Sequence, residues 1–258
     1  MIPRALYLCI AVTVLALAGC GLDRSNPSST NDTTTRATEG APSSPSTAAS
    51  SPVQQPRPPA DSSALQVLVL GNSIAAGYGL PRPSEQSFPA RLQQRVDSLG
   101  WDVTIRNAGL SGETTAGGLR RIGWLLKKPV DVLLLELGGN DGLRGVDLTS
   151  TKENLRAIID TTRAAYPDAR VLLAGMQIPP NLGPSYTQRF KALYPEVAAS
   201  RKGVTLIPFI LKGVGGVDAY MQPDGIHPNA AGHRRIANTV WPYLRPVLQE
   251  LRAQPTPA

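Results

Sequence analysis

Five short, mostly apolar runs, at 66–70, 102–106, 131–136, 170–175 and 204–207, limit what this chain can become. Between them lie stretches with helical periodicity, at 86–99, 114–127, 151–165 and 186–201. A last one covers 229–250, where Pro242 or Pro246 should break it, because proline lacks the amide that a helix interior uses. Strands this short and apolar, alternating with helices, belong to a parallel sheet covered on both faces. Right-handed crossovers then make a five-stranded doubly wound α/β sheet the economical topology. No internal repeat interrupts the pattern.

The first 64 residues follow other rules. Arg4 precedes an apolar run from Ala5 to Ala18, too short for a membrane span and laid out like a secretory signal. It ends in Leu17-Ala18-Gly19-Cys20, which resembles a bacterial lipobox. That resemblance implies a signal peptide over 1–19, a lipid on Cys20, and a place in the bacterial cell envelope, anchored to a membrane. Cys9 would leave with the signal, so no disulfide is available to the mature chain. From Gly21 to Ala64 the composition is Ser, Thr, Pro, Ala and Asn, which buries too little apolar surface to offset chain entropy. Residues 20–64 are therefore expected to be a lipidated Cys and disordered linker, tethering one folded domain with a good core at 65–258.

The formal net charge is +7. Before residue 65, Arg4, Arg24, Arg36 and Arg57 are balanced by Asp23, Asp32, Glu39 and Asp61, so the whole excess falls on 65–258. These charges are scattered arginines without interleaved aromatics, which argues against nucleic acid and for a solvated basic surface.

Chemistry concentrates where strands end. Val67-Leu68-Val69-Leu70 reads as a buried strand that Gly71 stops, and Ser73 sits just beyond its carboxyl end, where open α/β sheets place ligands. Small residues Ala75, Ala76 and Gly77 leave room above its hydroxyl, so Ser73 is a candidate nucleophile. A serine needs a base, and the chain has only two histidines, His227 and His233. Asp224 precedes His227 by three residues in a Gly-containing turn, and can accept the imidazole Nδ1–H, leaving Nε2 for the serine. His233 has no such carboxylate and suits packing or the surface. Two more loops follow strands onto the same sheet edge. At 107–114, Gly112 can offer an open backbone N–H, and at 137–141, Asn140 can offer a side-chain amide.

These blocks, GNS at 71–73, NAGLSGET at 107–114, GGND at 138–141 and DGIHP at 224–228, resemble those of the GDSL/SGNH hydrolases. LELGGNDGLRG at 135–145, DGIHPN at 224–229 and MQIPPNLGPSYTQRFKALYPEVA at 176–198 are similar to the bacterial multifunctional thioesterase/lysophospholipase and arylesterase branch. The resemblance spans essentially 65–250. It implies a flavodoxin-like three-layer α/β/α sandwich with strand order 2-1-3-4-5, and no metal or organic cofactor. It assigns Ser73 as nucleophile, His227 as base and Asp224 as its orienter, with an oxyanion hole at the Ser73 and Gly112 N–H groups and the Asn140 side chain. One departure stands out: the family carries Asp before the nucleophile, and this chain carries Asn72.

The expected function is a lipid-anchored serine esterase that hydrolyses carboxylic esters of small to medium acyl chains through an acyl-enzyme. Thioester or lysophospholipid hydrolysis, or acyl transfer to a sugar, are alternatives on the same site. A non-catalytic envelope binding protein is the alternative from another class. The absence of G-x-S-x-G argues against an α/β-hydrolase elbow. Expected partners are a small-molecule or lipid ester and the membrane reached through Cys20; oligomeric state is left open.

Overall fold

A computed structural model describes residues 64–254. The signal peptide expected over 1–19, the lipid site at Cys20 and, apart from Ala64, the linker expected over 20–64 lie outside the described residues.

Strands β1 (Leu65–Gly71), β2 (Val103–Gly109), β3 (Val132–Glu136), β4 (Arg170–Ala174) and β5 (Val204–Ile207) form one parallel sheet, in the order β2-β1-β3-β4-β5. This is the expected order. Helices α3 (Phe88–Ser98) and α8 (Ala230–Ala253) pack together over one face, α3 against β2 and α8 against β1, β4 and β5. On the other, α4 (Thr115–Leu125), α6 (Leu148–Ala165) and α7 (Pro184–Ala199) lie side by side, as the reversal between β2 and β3 requires of right-handed crossovers. Three one-turn helices, α1 (Ser73–Ala76), α2 (Pro83–Gln86) and α5 (Gly139–Leu143), complete the framework.

The central strands of the sheet are dry on both faces. Val67 to Leu70, Leu133 to Leu135 and Leu172 and Leu173 are all fully buried, and each such side chain contributes about 1.5–3 kcal/mol of apolar burial. The helices follow the same logic. In α6, Asp147 caps the first turn by accepting from Ser150 N at 2.8 Å, and Leu148, Thr151, Leu155, Ile158, Ile159 and Thr162 form its buried stripe. The open edge of β2 is covered by one side chain: Gln93 of α3 donates to Val103 O (3.0 Å) and accepts from Ile105 N (2.6 Å), as a neighbouring strand would.

Several boundaries differ from the sequence expectation. Pro242 and Pro246 do not break α8, which runs unbroken for 24 residues. Both prolines face solvent, opposite the buried Ile236, Ala237, Val240, Leu244 and Leu248, so water can reach the carbonyls that lose their amide partners. β2 continues to Gly109 rather than stopping at 106, because β1 pairs with it along its whole length, from Leu65↔Val103 to Gly71↔Gly109. Helix α6 starts three residues before the expected 151, at its Asp147 cap. The one-turn helices are too short to leave a periodic trace in the sequence.

The register decides where chemistry can occur. Gly71 stands level with Gly109 on one side and Glu136 on the other, so the three carboxyl ends open onto one place. That place is the point where the strand order reverses, which in doubly wound sheets forms a crevice.

Candidate active site

The turn after β1 is held almost entirely by its own amides. Asn72 N and Ala75 N donate to Glu136 Oε2 (3.2 and 3.3 Å), and Ile74 N donates to Asn72 Oδ1 (2.8 Å). Ala76 N, Gly77 N and Tyr78 N donate to the carbonyls of Asn72, Ile74 and Ser73. Among residues 72–78, only the Ser73 N–H has no acceptor within the described residues. It is the one donor the turn leaves free, at the start of a short helix and beside the serine hydroxyl. Tight packing enforces this shape: a Cβ on Gly109 would come within 2.2 Å of Ala76 N, so β2 and α1 meet backbone to backbone.

His227 reaches the same hydroxyl from the loop before α8. Its Nε2 lies 3.0 Å from Ser73 Oγ, and its Nδ1 lies 2.6 Å from Asp224 Oδ2. The other Asp224 oxygen accepts the backbone N–H groups of Ile226 and His227, both at 2.9 Å. The His227 backbone amide, then its ring, then the Ile226 amide hold the Asp224 carboxyl down to about 2, so it is ionised across the working pH range. An ionised acceptor at Nδ1 fixes the proton there and turns the Nε2 lone pair to Ser73. Tyr78 covers the imidazole, with ring centroids 4.7 Å apart. Gln222 ties the two loops together, donating from Nε2 to Tyr78 O (2.7 Å) and Pro228 O (2.9 Å), while its own amide donates to His227 O (2.7 Å).

The remaining donors come from the β2 and β3 loops. Gly112 has φ +79°, a left-handed backbone that favours glycine, and its N–H has no acceptor among the described residues. Asn140 uses one hydrogen of its Nδ2 on Glu113 O (2.9 Å), which sets the amide beside the Gly112 loop and leaves its second hydrogen free. Gly139 packs beside the Ser73 turn: a Cβ on it would lie 3.4 Å from Asn72 Nδ2. The arrangement pairs a serine hydroxyl with an oriented imidazole and leaves three N–H groups on the adjoining loops without an acceptor among the described residues.

One partly buried ion pair and a set of hydrogen bonds brace these loops. Arg121 of α4 grips Glu113 bidentately, with Nε at 2.6 and 2.8 Å from its two oxygens, and Nη2 also bonds the Ala108 carbonyl. Asp141 accepts Thr115 N (2.9 Å) and Thr115 Oγ1 (2.5 Å), which joins α5 to the start of α4. Tyr194 donates to Leu137 O (3.0 Å) under Gly138, whose φ is +105°.

The structure thus brings Ser73, Asp224, His227, Gly112 and Asn140 to one crevice. His233 is elsewhere: only 1% exposed, it accepts Phe88 N at Nδ1 (3.1 Å) and so caps α3. Burial depresses it to about 4, which keeps it neutral and suited to accepting. Sequence reasoning missed Glu136, Glu113, Arg121, Asp141 and Gln222. A signal existed for Glu136 alone, an acid ending an otherwise apolar strand. No group of three or more potential metal ligands occurs among the described residues.

Comparison with known proteins places the chain in a family. Residues 69–235 match the GDSL-like lipase/acylhydrolase family. Esterase TesA of Pseudomonas aeruginosa is 46% identical over 184 residues, covering 70% of this chain and 89% of that protein. Thioesterase 1/protease 1/lysophospholipase L1 of Escherichia coli K12 is 37% identical over 183 residues, covering 70% of this chain and 84% of that protein. Among solved structures, that of TesA superposes with a TM-score of 0.66 at 45% identity, over 70% of this chain and 99% of the other. The psychrotrophic esterase EstA from Pseudoalteromonas sp. also gives 0.66, at 32% identity, over 71% and 98%. The chain belongs to the GDSL-like lipase/acylhydrolase family.

Proposed function

We propose that this chain is a serine hydrolase of carboxylic esters with small to medium acyl chains, in which Ser73 is the nucleophile, His227 the general base and Asp224 its orienter. The observation that carries the reading is the continuous line from Asp224 Oδ2 through the His227 ring to Ser73 Oγ, with steps of 2.6 and 3.0 Å. Ser73 Oγ attacks the ester carbonyl as His227 Nε2 takes its proton. The carbonyl oxygen gains negative charge beside the Ser73 and Gly112 N–H groups and the free Asn140 hydrogen, which need no reorganisation to receive it. His227 returns the proton to the departing alcohol, leaving an acyl-enzyme. Water then repeats the sequence on the acyl group, with the same base and donors, and frees the acid.

Exposed apolar side chains on these loops, Tyr78, Leu110, Leu143 and Ile226, support an apolar acyl group. The same surface would accept a longer chain, and the 37%-identical relative is named as a thioesterase and lysophospholipase. Thioester and lysophospholipid hydrolysis therefore form the second reading. The anchor at Cys20 and the envelope location belong to this proposal through the lipobox resemblance, with 65–258 as the hydrolase domain.

The test is a panel of aryl esters, thioesters and lysophospholipids of graded chain length, assayed on the wild type, Ser73→Ala and His227→Ala. Each variant should lose several orders of magnitude in kcat while keeping its thermal melt, because triad members act as a unit. Retained hydrolysis in a folded Ser73→Ala protein removes the nucleophile assignment. Cys20→Ser should move activity from the membrane fraction to the soluble one; activity that stays with washed membranes removes the lipid tether.

A further inference from the structure

Glu136 ends β3 as an acid in an apolar strand, fully buried, and takes no part in the proton relay. Its Oε2 accepts the amides of Asn72 and Ala75, which flank Ser73 on either side, and its Oε1 is buried with no partner among the described residues. The side chain occupies the space that Gly71 leaves open: a Cβ on Gly71 would come within 2.6 Å of Oε2 and 2.5 Å of the Ala75 Cβ. Asn72, 2% exposed, accepts Ile74 N at its side-chain oxygen (2.8 Å). Glu136 and Asn72 together therefore accept the N–H groups of Asn72, Ile74, Ala75 and Ala76, and leave that of Ser73 without an acceptor among the described residues.

Resting on the reading of Ser73 as nucleophile, we propose that Glu136 is a positioning residue for the oxyanion hole, which fixes the direction of the Ser73 N–H by holding the amides before and after it. A carboxyl suits this task because one oxygen can take two amides at once. Burial pushes it up to about 8, so near neutral pH it holds its proton and puts no negative charge behind the oxyanion. Asn72 fits the same design, since its amide adds no second charge to the buried pair.

The distinguishing readout is the ratio of kcat/KM for an oxo-ester to that for the matching thiono-ester, whose carbonyl sulfur accepts hydrogen bonds poorly. A well-aimed donor favours oxygen, and a displaced one discriminates less. In the full chain, Glu136→Met removes the acceptor at similar volume. It should lower oxo-ester kcat roughly 10²-fold and the oxo/thiono ratio about tenfold, with KM within about threefold. Glu136→Gln keeps an acceptor for the two amides and should recover most of both. A folded Glu136→Met protein with the wild-type ratio overturns the proposal, as does Glu136→Gln impaired as deeply as Glu136→Met. Should Glu136→Met fail to fold, Asn72→Ala, which frees Ile74 N in the same turn that Glu136 holds, must lower the ratio; an unchanged ratio overturns the proposal equally. Ser73→Ala on the same esters separates the two levels. If it stays active, the nucleophile assignment falls and this inference with it; if it is inactive while Glu136→Met keeps the wild-type ratio, only the inference falls.

Discussion

Gly138 and Tyr194 form a junction whose cost of disturbance can be worked out atom by atom. Gly138 has φ +105°, and a Cβ placed on it would lie 2.4 Å from Tyr194 Oη but 3.4 Å from Tyr194 Cζ. Gly138→Ala therefore meets two penalties. Left-handed backbone costs a non-glycine residue about 1–2 kcal/mol, and forcing a methyl group into this packed site costs about 1–3 kcal/mol. The expected loss, about 2–5 kcal/mol, is a large share of the roughly 5–15 kcal/mol that holds a domain folded. Tyr194→Phe removes the hydroxyl that the methyl strikes, and leaves the Leu137 carbonyl without its buried donor at about 1–3 kcal/mol. In the double variant the overlap is gone, so the two losses should not add. Urea unfolding of all four proteins should give a favourable coupling of about 1–3 kcal/mol, the size of the overlap term. Activity should follow, because Gly138 caps the short helix that carries Asn140. Additive losses, or a Gly138→Ala protein as stable as the wild type, would refute the reasoning.

Three further outcomes follow from the site and its buried groups. Asn140→Ala should lower ester kcat roughly 10²–10³-fold with little change in KM, since one oxyanion donor of three is lost; a His233→Ala protein that remains folded should keep its activity, and equal damage from both would misplace the donor. Gln222→Ala should slow turnover about tenfold with under about 1 kcal/mol of stability lost, because it loosens the loops of Tyr78 and His227 without opening the core; a large loss of stability at unchanged kcat would contradict that division. Stability should also depend on pH through two opposed groups. His233 titrates near 4 when folded against 6.5 as a free side chain, so stability falls as pH drops through that window, while Glu136 titrates near 8 against 4.5, so stability falls as pH rises through its own. Each slope is about 1.4 kcal/mol per pH unit, and they oppose each other between about 4.5 and 6.5, with the decline from Glu136 alone emerging above that; urea midpoints that stay level from pH 6.5 to 8, or that still decline in Glu136→Gln, would show that another group is responsible.

The parallel sheet and its five strands were legible because apolar runs and helical periods are local properties that survive in the linear pattern. The blocks at 71–73, 107–114, 138–141 and 224–228 were legible for a related reason: glycine and proline mark turns wherever they stand, and the ends of parallel strands open onto one edge. By itself, then, the sequence determined the architecture and nominated the residues that share the crevice. It could not show that α8 passes through Pro242 and Pro246, since that depends on which face of the helix meets water. Nor could it show that β2 runs on to Gly109, since that depends on where β1 ends. The supports of the site were hidden more deeply. Glu136 meets Asn72 and Ala75 across 64 and 61 residues, and Asp141 meets Thr115 across 26. Such bonds are made by crossovers that bring distant strand ends level, and no local pattern records the distance. Tertiary structure alone decided that an acid would lie dry and protonated beneath Ser73, because desolvation exists only once the layers have closed over it.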